Sequence, residues 1–219
     1  MNHTNVIIIG IAGGSASGKS AVAEYLASKA NFKVHVVSQD WYYKSLPDGV
    51  DGKSYNWDSP SAFDWDQLIE SINALKSGLA IWTPRHDYIT YKKRENVERV
   101  KPNGVIIIEG LMMMQNPVVR NLLDMKIFIE CDTDITLKRR ILRDVKERGY
   151  DVEQVLERYT KHVKPSFEEN IKPTAAYADI ILCNDDNRRI SEHKGIDLIL
   201  QFINNNIPKN IPYNFLSYS

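Results

Sequence analysis

The chain has 219 residues, 43% of them hydrophobic, enough to bury a sizeable core in one domain or in one domain with an inserted lid. Lysine plus arginine and aspartate plus glutamate number 28 each, so the formal charge is zero and no basic stripe marks a nucleic-acid partner. No apolar run reaches membrane-spanning length, and residues 6–11 lack a leader's basic flank and cleavage site, so a soluble cytoplasmic protein without a membrane partner is expected.

Residues 6–9, Val-Ile-Ile-Ile, form a short β-branched run stopped by Gly10, the pattern of a strand buried on both faces. Gly13-Gly14-Ser15-Ala16-Ser17-Gly18-Lys19-Ser20 then fits G-x-x-x-x-G-K-[ST]. Gly13 and Gly18 stand where backbone amides must turn inward around phosphate oxygens and a Cβ would obstruct them. Lys19 is placed to reach the terminal phosphates and Ser20 to put its hydroxyl on Mg²⁺, with the helix at 21–30 aiming its positive end at the anion. That order of residues points to a bound nucleoside triphosphate and to phosphoryl transfer.

A second strand, 34–37, ends at Ser38-Gln39-Asp40, where a carboxylate could accept the proton of an attacking alcohol and help position Mg²⁺. Residues 41–58, rich in Asp, Gly and Tyr, and residues 81–100, with Pro84, interrupt the alternation of strand and helix. The second reads as a hairpin, and both are expected to be flaps over an acceptor site. A helix is expected at 60–76, and Lys92-Lys93-Arg94 at a solvated hairpin tip.

The apolar run 105–108 leads into Glu109 and Gly110, the place for a second metal-side carboxylate, and Met112 to Met114 are expected in the core. A short helix at 118–123 and a strand at 127–129 follow. A helix at 135–148 puts Arg139, Arg140 and Arg143 on one arc, suited to neutralising a moving phosphoryl group, and Leu137, Ile141 and Val145 on the other. Arg148 and Gly149 extend the cluster into a lid at about 144–160. A helix at 152–170, a strand at 178–182 and a helix at 190–205 complete the pattern, and 207–219 reads as a separate tail. Cys131 and Cys183 lie in apolar runs without metal-type spacing and are expected to be buried reduced thiols.

Strands alternating with helices predict an α/β, three-layer fold of the P-loop NTPase type. Its sheet should be mostly parallel and five-stranded, within one domain spanning 1–206, with the ligand crevice at the strands' carboxyl ends. A nucleotide switch is not indicated, because D-x-x-G and N-K-x-D are both absent.

From about residue 6 to 182 the chain resembles the uridine-cytidine kinase family, P-loop nucleoside kinases of the phosphoribulokinase/uridine kinase superfamily. The segments that carry the likeness are the phosphate loop, Ser38-Gln39-Asp40, Asn56-Trp57-Asp58, Glu109-Gly110, Arg139-Arg140 with Arg143-Asp144, Glu147-Arg148-Gly149, Lys164-Pro165 and Tyr177-Ala178-Asp179. The resemblance implies transfer of the γ-phosphoryl group of ATP or GTP to the 5′-hydroxyl of uridine or cytidine with Mg²⁺, in pyrimidine salvage, by a homo-oligomer. It makes Asp40 the base, Ser20 and Glu109 metal-side groups, Asp58 a ribose ligand, Arg140 an acceptor contact, and Arg143 and Arg148 phosphate contacts. The departures gather around the nucleoside base: His86 replaces a tyrosine, Tyr91 a histidine, Lys93 and Tyr150 arginines, and Arg158 a glutamine. His86 and Tyr91 can be an exchange of the same two side-chain types across one site. The alternative they leave open is a related kinase of another nucleoside or a sugar-like alcohol.

Overall fold

In the computed structural model, residues 6–102, 104–185 and 189–206 are described; the expected tail at 207–219 lies outside them. The chain runs β1 (Ile7–Gly13), α1 (Lys19–Lys29), β2 (His35–Ser38), α2 (Trp65–Lys76), β3 (Ile81–Asp87), β4 (Lys92–Val100), β5 (Val105–Glu109), α3 (Pro117–Leu122), β6 (Met125–Glu130), α4 (Thr133–Arg148), α5 (Val152–Arg158), β7 (Ile180–Cys183) and α6 (Lys194–Asn205). Five strands form one sheet in the order β2-β5-β1-β6-β7, every pair parallel, and β3 with β4 forms a separate antiparallel hairpin.

The isoleucine-rich strands are unbroken because both faces of the sheet are covered, and the two-residue period sends successive side chains to opposite cores. Ile8, Ile106 and Ile108 pack with Leu68, Ile72 and Leu75 of α2 and Val119 of α3. Ile9, Ile11, Ile107 and Ile127 pack on the other face with Val22 and Leu26 of α1 and Ile196, Ile199 and Ile203 of α6. Met112, Met113 and Met114 are fully buried, as expected of core residues. This three-layer α/β arrangement brings the ends of β1, β2 and β5 side by side, with Ser38 paired to Glu109 and Glu109 to Ile11.

Four expectations need correction. The helix at 60–76 is split: Pro60–Ala62 is a 3₁₀ turn, Phe63 bridges to Tyr43, and α2 starts at Trp65 with Asp64 capping Gln67. The helix at 152–170 leaves α-geometry, passing through π turns at Tyr159–Val163 and Phe167–Ile171 on either side of Pro165, whose missing N–H breaks the regular ladder. Lys93 is not a solvated tip residue; its ammonium lies 2.7 Å from Asp64 and 3.3 Å from Glu95 and holds the hairpin to the start of α2. Against the upward push of burial, Lys93 holds the Asp64 carboxyl below its ordinary value. Cys131, just past the end of β6, is only half-buried, and Cys183 is exposed because β7 is an edge strand with one covered face.

Candidate active site

The chain between β1 and α1 needs glycine at its two ends. At Gly13 (φ 150°) an added Cβ would meet the Ile129 carbonyl oxygen at 2.5 Å, and at Gly18 (φ 96°) it would strike the Asn184 amide. Ala16, with φ 61°, takes a conformation an L-residue seldom adopts, so the loop holds local backbone strain. Asn184, buried at the end of β7, donates to the Ser17 carbonyl at 2.7 Å and braces the loop from behind.

A cavity of about 330 Å³ opens at the loop. Ser15, Ala16, Gly18, Lys19 and Ser20 form one end, with Asp40 and Glu109 beside them at the ends of β2 and β5. Lys19 is buried, and its ammonium donates to the Gly14 carbonyl at 2.9 Å. Burial pushes that ammonium below its ordinary value, opposed by the charges of Glu109 and Asp40. Burial and then the charge of Asp40 push the Glu109 carboxyl up, while Lys19 and the hydroxyls of Ser38 and Ser20 pull it back. Two close carboxylates and the Ser20 hydroxyl form an all-oxygen donor set. That suits Mg²⁺, which keeps several waters and needs only one or two protein carboxylates. Among the described residues no cluster of three or more His, Cys, Asp or Glu forms a closed metal cage.

α4 supplies the cationic wall, with an orientation opposite to that expected for an amphipathic helix. Its buried residues are Arg140 and Asp144, while Leu137 and Ile141 are half-buried and Val145 is 40% exposed. The polar arc faces the cavity because Asp144 neutralises it. Its carboxylate lies 3.2 Å from Arg140, 2.9 Å from Arg143 and 3.5 Å from Arg148. Burial pushes the Asp144 carboxyl up, but the three arginines outweigh it and hold the group below its ordinary range. Arg140 also donates to the Ser15 hydroxyl at 2.7 Å, tying α4 to the phosphate loop.

The other end of the cavity is aromatic. Tyr43 and His86 meet edge-on at 5.5 Å, Trp57 and His86 at 4.8 Å, and Tyr91 stacks on Trp57 at 5.7 Å. Asp58 is buried, and its backbone carbonyl accepts from Ser166, which fixes the insert against the segment between the two π turns. His86 is buried with no partner for Nδ1, and burial brings its pKa down to about 4. Tyr91 adopts φ 54°, and its hydroxyl lies 3.3 Å from that of Tyr150. Arg158 spends its guanidinium on the Lys53 carbonyl and on the Tyr150 ring, 5.3 Å away. Tyr88 donates to Asp40 Oδ2 at 3.1 Å.

The sequence-derived candidates thus line one cavity, except Gly13, Gly14 and Ser17; the latter two line a second cavity that shares Ser15 and Arg140 with the first. Tyr88, Asp144, Tyr43, Trp57 and Asn184 were not singled out as site residues. Only Asp144 carried a usable signal, four residues after Arg140, next to Arg143 and four before Arg148, where helical spacing joins them.

A five-stranded parallel sheet with this loop and cavity at its carboxyl edge defines the P-loop class of α/β proteins. The chain belongs to the Phosphoribulokinase / Uridine kinase family, whose model matches residues 8–191. It is 42% identical over 207 residues to uridine kinase-like protein 3 of Arabidopsis thaliana, an alignment that takes in 92% of this chain and 43% of the plant protein. The chain therefore spans about two fifths of the length of that plant relative. With the uridine kinase of Latilactobacillus sakei it shares 40% identity, covering 89% of this chain and 91% of the bacterial one. Among solved structures, phosphoribulokinase from Rhodobacter spheroides has the same fold, with a TM-score of 0.62 at 17% identity, over 98% of this chain and 85% of that one.

Proposed function

We propose that the protein transfers the γ-phosphoryl group of ATP or GTP to the 5′-hydroxyl of uridine or cytidine, as a cytoplasmic, homo-oligomeric enzyme of pyrimidine salvage. The observation that carries this reading is one cavity with Lys19, Ser20, Asp40, Glu109 and three arginines at one end and a buried aspartate among aromatic rings at the other. The named relatives support the acceptor class. No helix among the described residues is long and apolar enough to cross a membrane.

In this reading the amides between residues 14 and 19 and the Lys19 ammonium hold the triphosphate. Ser20, Asp40 and Glu109 would hold Mg²⁺, which when bound neutralises charge on the β- and γ-oxygens. Asp58 takes the ribose hydroxyls, and Trp57, His86 and Tyr91 enclose the base. Because burial keeps His86 neutral at physiological pH, the imidazole offers the base one donor and one acceptor rather than a charge. Asp40 removes the acceptor's hydroxyl proton as its oxygen bonds the γ-phosphorus, and the bond to the β–γ bridging oxygen breaks with its electron pair leaving on the nucleoside diphosphate. Arg140, Arg143 and Arg148 offset the charge that moves.

The test is acceptor-dependent formation of nucleoside diphosphate from ATP with a panel of nucleosides and phosphorylatable alcohols, ribulose 5-phosphate among them. Turnover is expected with uridine and cytidine; activity confined to a non-pyrimidine alcohol would end this reading.

A further inference from the structure

We propose that Tyr88 is a positioning residue that orients the Asp40 carboxylate and couples it to the lid arginine Arg148. The inference rests on the reading of Asp40 as the base.

Tyr88 lies at the turn end of the hairpin, just past β3, and its hydroxyl donates to Asp40 Oδ2 at 3.1 Å. Its ring lies under the Arg148 guanidinium, 4.6 Å from ring centroid to charge centre, and touches His86 edge-on at 5.5 Å. A phenol is protonated throughout the working pH range, so Tyr88 stays a donor there. A donor fixed on one carboxylate oxygen sets the plane of the group and leaves Oδ1 for the acceptor hydroxyl. Within hydrogen-bond reach of a substrate proton, a rotation of the carboxylate would misplace the accepting lone pair, and orientation contributes heavily to such a step. The cation over the ring links this arrangement to α4, because Arg148 can cover Tyr88 only when the last turn of that helix stands over the hairpin. The base is therefore fully oriented only with the lid in place, which restrains proton removal while the site is open.

Tyr88 as a residue is 41% exposed and stands outside the buried core, so Tyr88→Phe removes one oxygen without disturbing that core. The test compares kcat and KM for Tyr88→Phe, Asp40→Asn and the double variant, with uridine and ATP. Tyr88→Phe is expected to lower kcat about tenfold to a hundredfold, the usual size for a hydrogen bond to a charged group, with acceptor and donor KM within about twofold. On the Asp40→Asn background the same change should cost nothing further, since there is no carboxylate left to orient. A Tyr88→Phe enzyme within about threefold of wild type, or an equal loss on both backgrounds, would overturn the proposal while leaving Asp40 as base. An Asp40→Asn enzyme of near wild-type kcat would instead remove the reading on which it rests.

Discussion

The Asp144 carboxylate stands 3.2 Å from the Arg140 guanidinium one turn earlier on the same helix, and both side chains are all but sealed from solvent. Removing one partner of such a pair leaves buried charge uncompensated, here that of Arg140, with the partly exposed Arg143 and Arg148 beside it. Asp144→Asn should therefore cost about 3 kcal/mol of stability in denaturant unfolding and raise the donor KM as the arginines splay. The carboxyl is held below its unfolded value, so its contribution is present above about pH 4 and fades as pH falls through the folded value. Wild type and variant should accordingly converge in stability in strong acid.

His86 predicts a pH sensitivity of the same direction on a higher part of the pH scale. Its folded value of about 4 lies below the unfolded value near 6.5, so the unfolded chain binds the extra proton between them. Stability should fall by on the order of 3 kcal/mol as pH drops from about 6.5 to about 4. His86→Gln should flatten that slope in urea titrations at pH 7 and pH 4.5.

Arg158 ties the segment that follows α4 to the insert at 41–58 through the Lys53 carbonyl, with its guanidinium 5.3 Å from the Tyr150 ring. Arg158→Ala should raise the acceptor KM about threefold to tenfold with kcat changed less than twofold, because the tie shapes the pocket rather than the reacting atoms. A fall in kcat with constant KM would place Arg158 on the reacting groups instead.

Asn184 braces the phosphate loop through the Ser17 carbonyl, and its replacement by alanine leaves a buried acceptor without its donor. Calorimetry should find ATP binding to Asn184→Ala weaker by about fivefold to thirtyfold, a loss of about 1–2 kcal/mol, with uridine binding unaltered.

Much of this was legible in the sequence because the signals were local. The unbroken runs at 6–9 and 105–108 could only be strands covered on both faces, and the spacing of Gly13, Gly18, Lys19 and Ser20 is itself the geometry of an anion cradle. The arc of arginines was legible too, but not its direction, because periodicity separates two faces without saying which is buried. Asp144 reverses the usual answer by satisfying the charges inside. Tyr88 and Trp57 were missed as site residues for another reason. An aromatic residue in an insert has no sequence-local mark of what it faces, and only the docking of the hairpin brings Tyr88 to Asp40 and Tyr91 onto Trp57. Pro165 gave a partial warning, since it announced a disturbed helix without foretelling the π turns around it.

The most direct measurement of the central claim is the position of the new phosphate on the product. The protein incubated with uridine, ATP and Mg²⁺ should yield a monoester whose phosphorus couples, in ¹H–³¹P correlation spectra, to the two 5′-methylene protons of the ribose. A phosphate on another hydroxyl, or release of inorganic phosphate with uridine unchanged, would contradict the account.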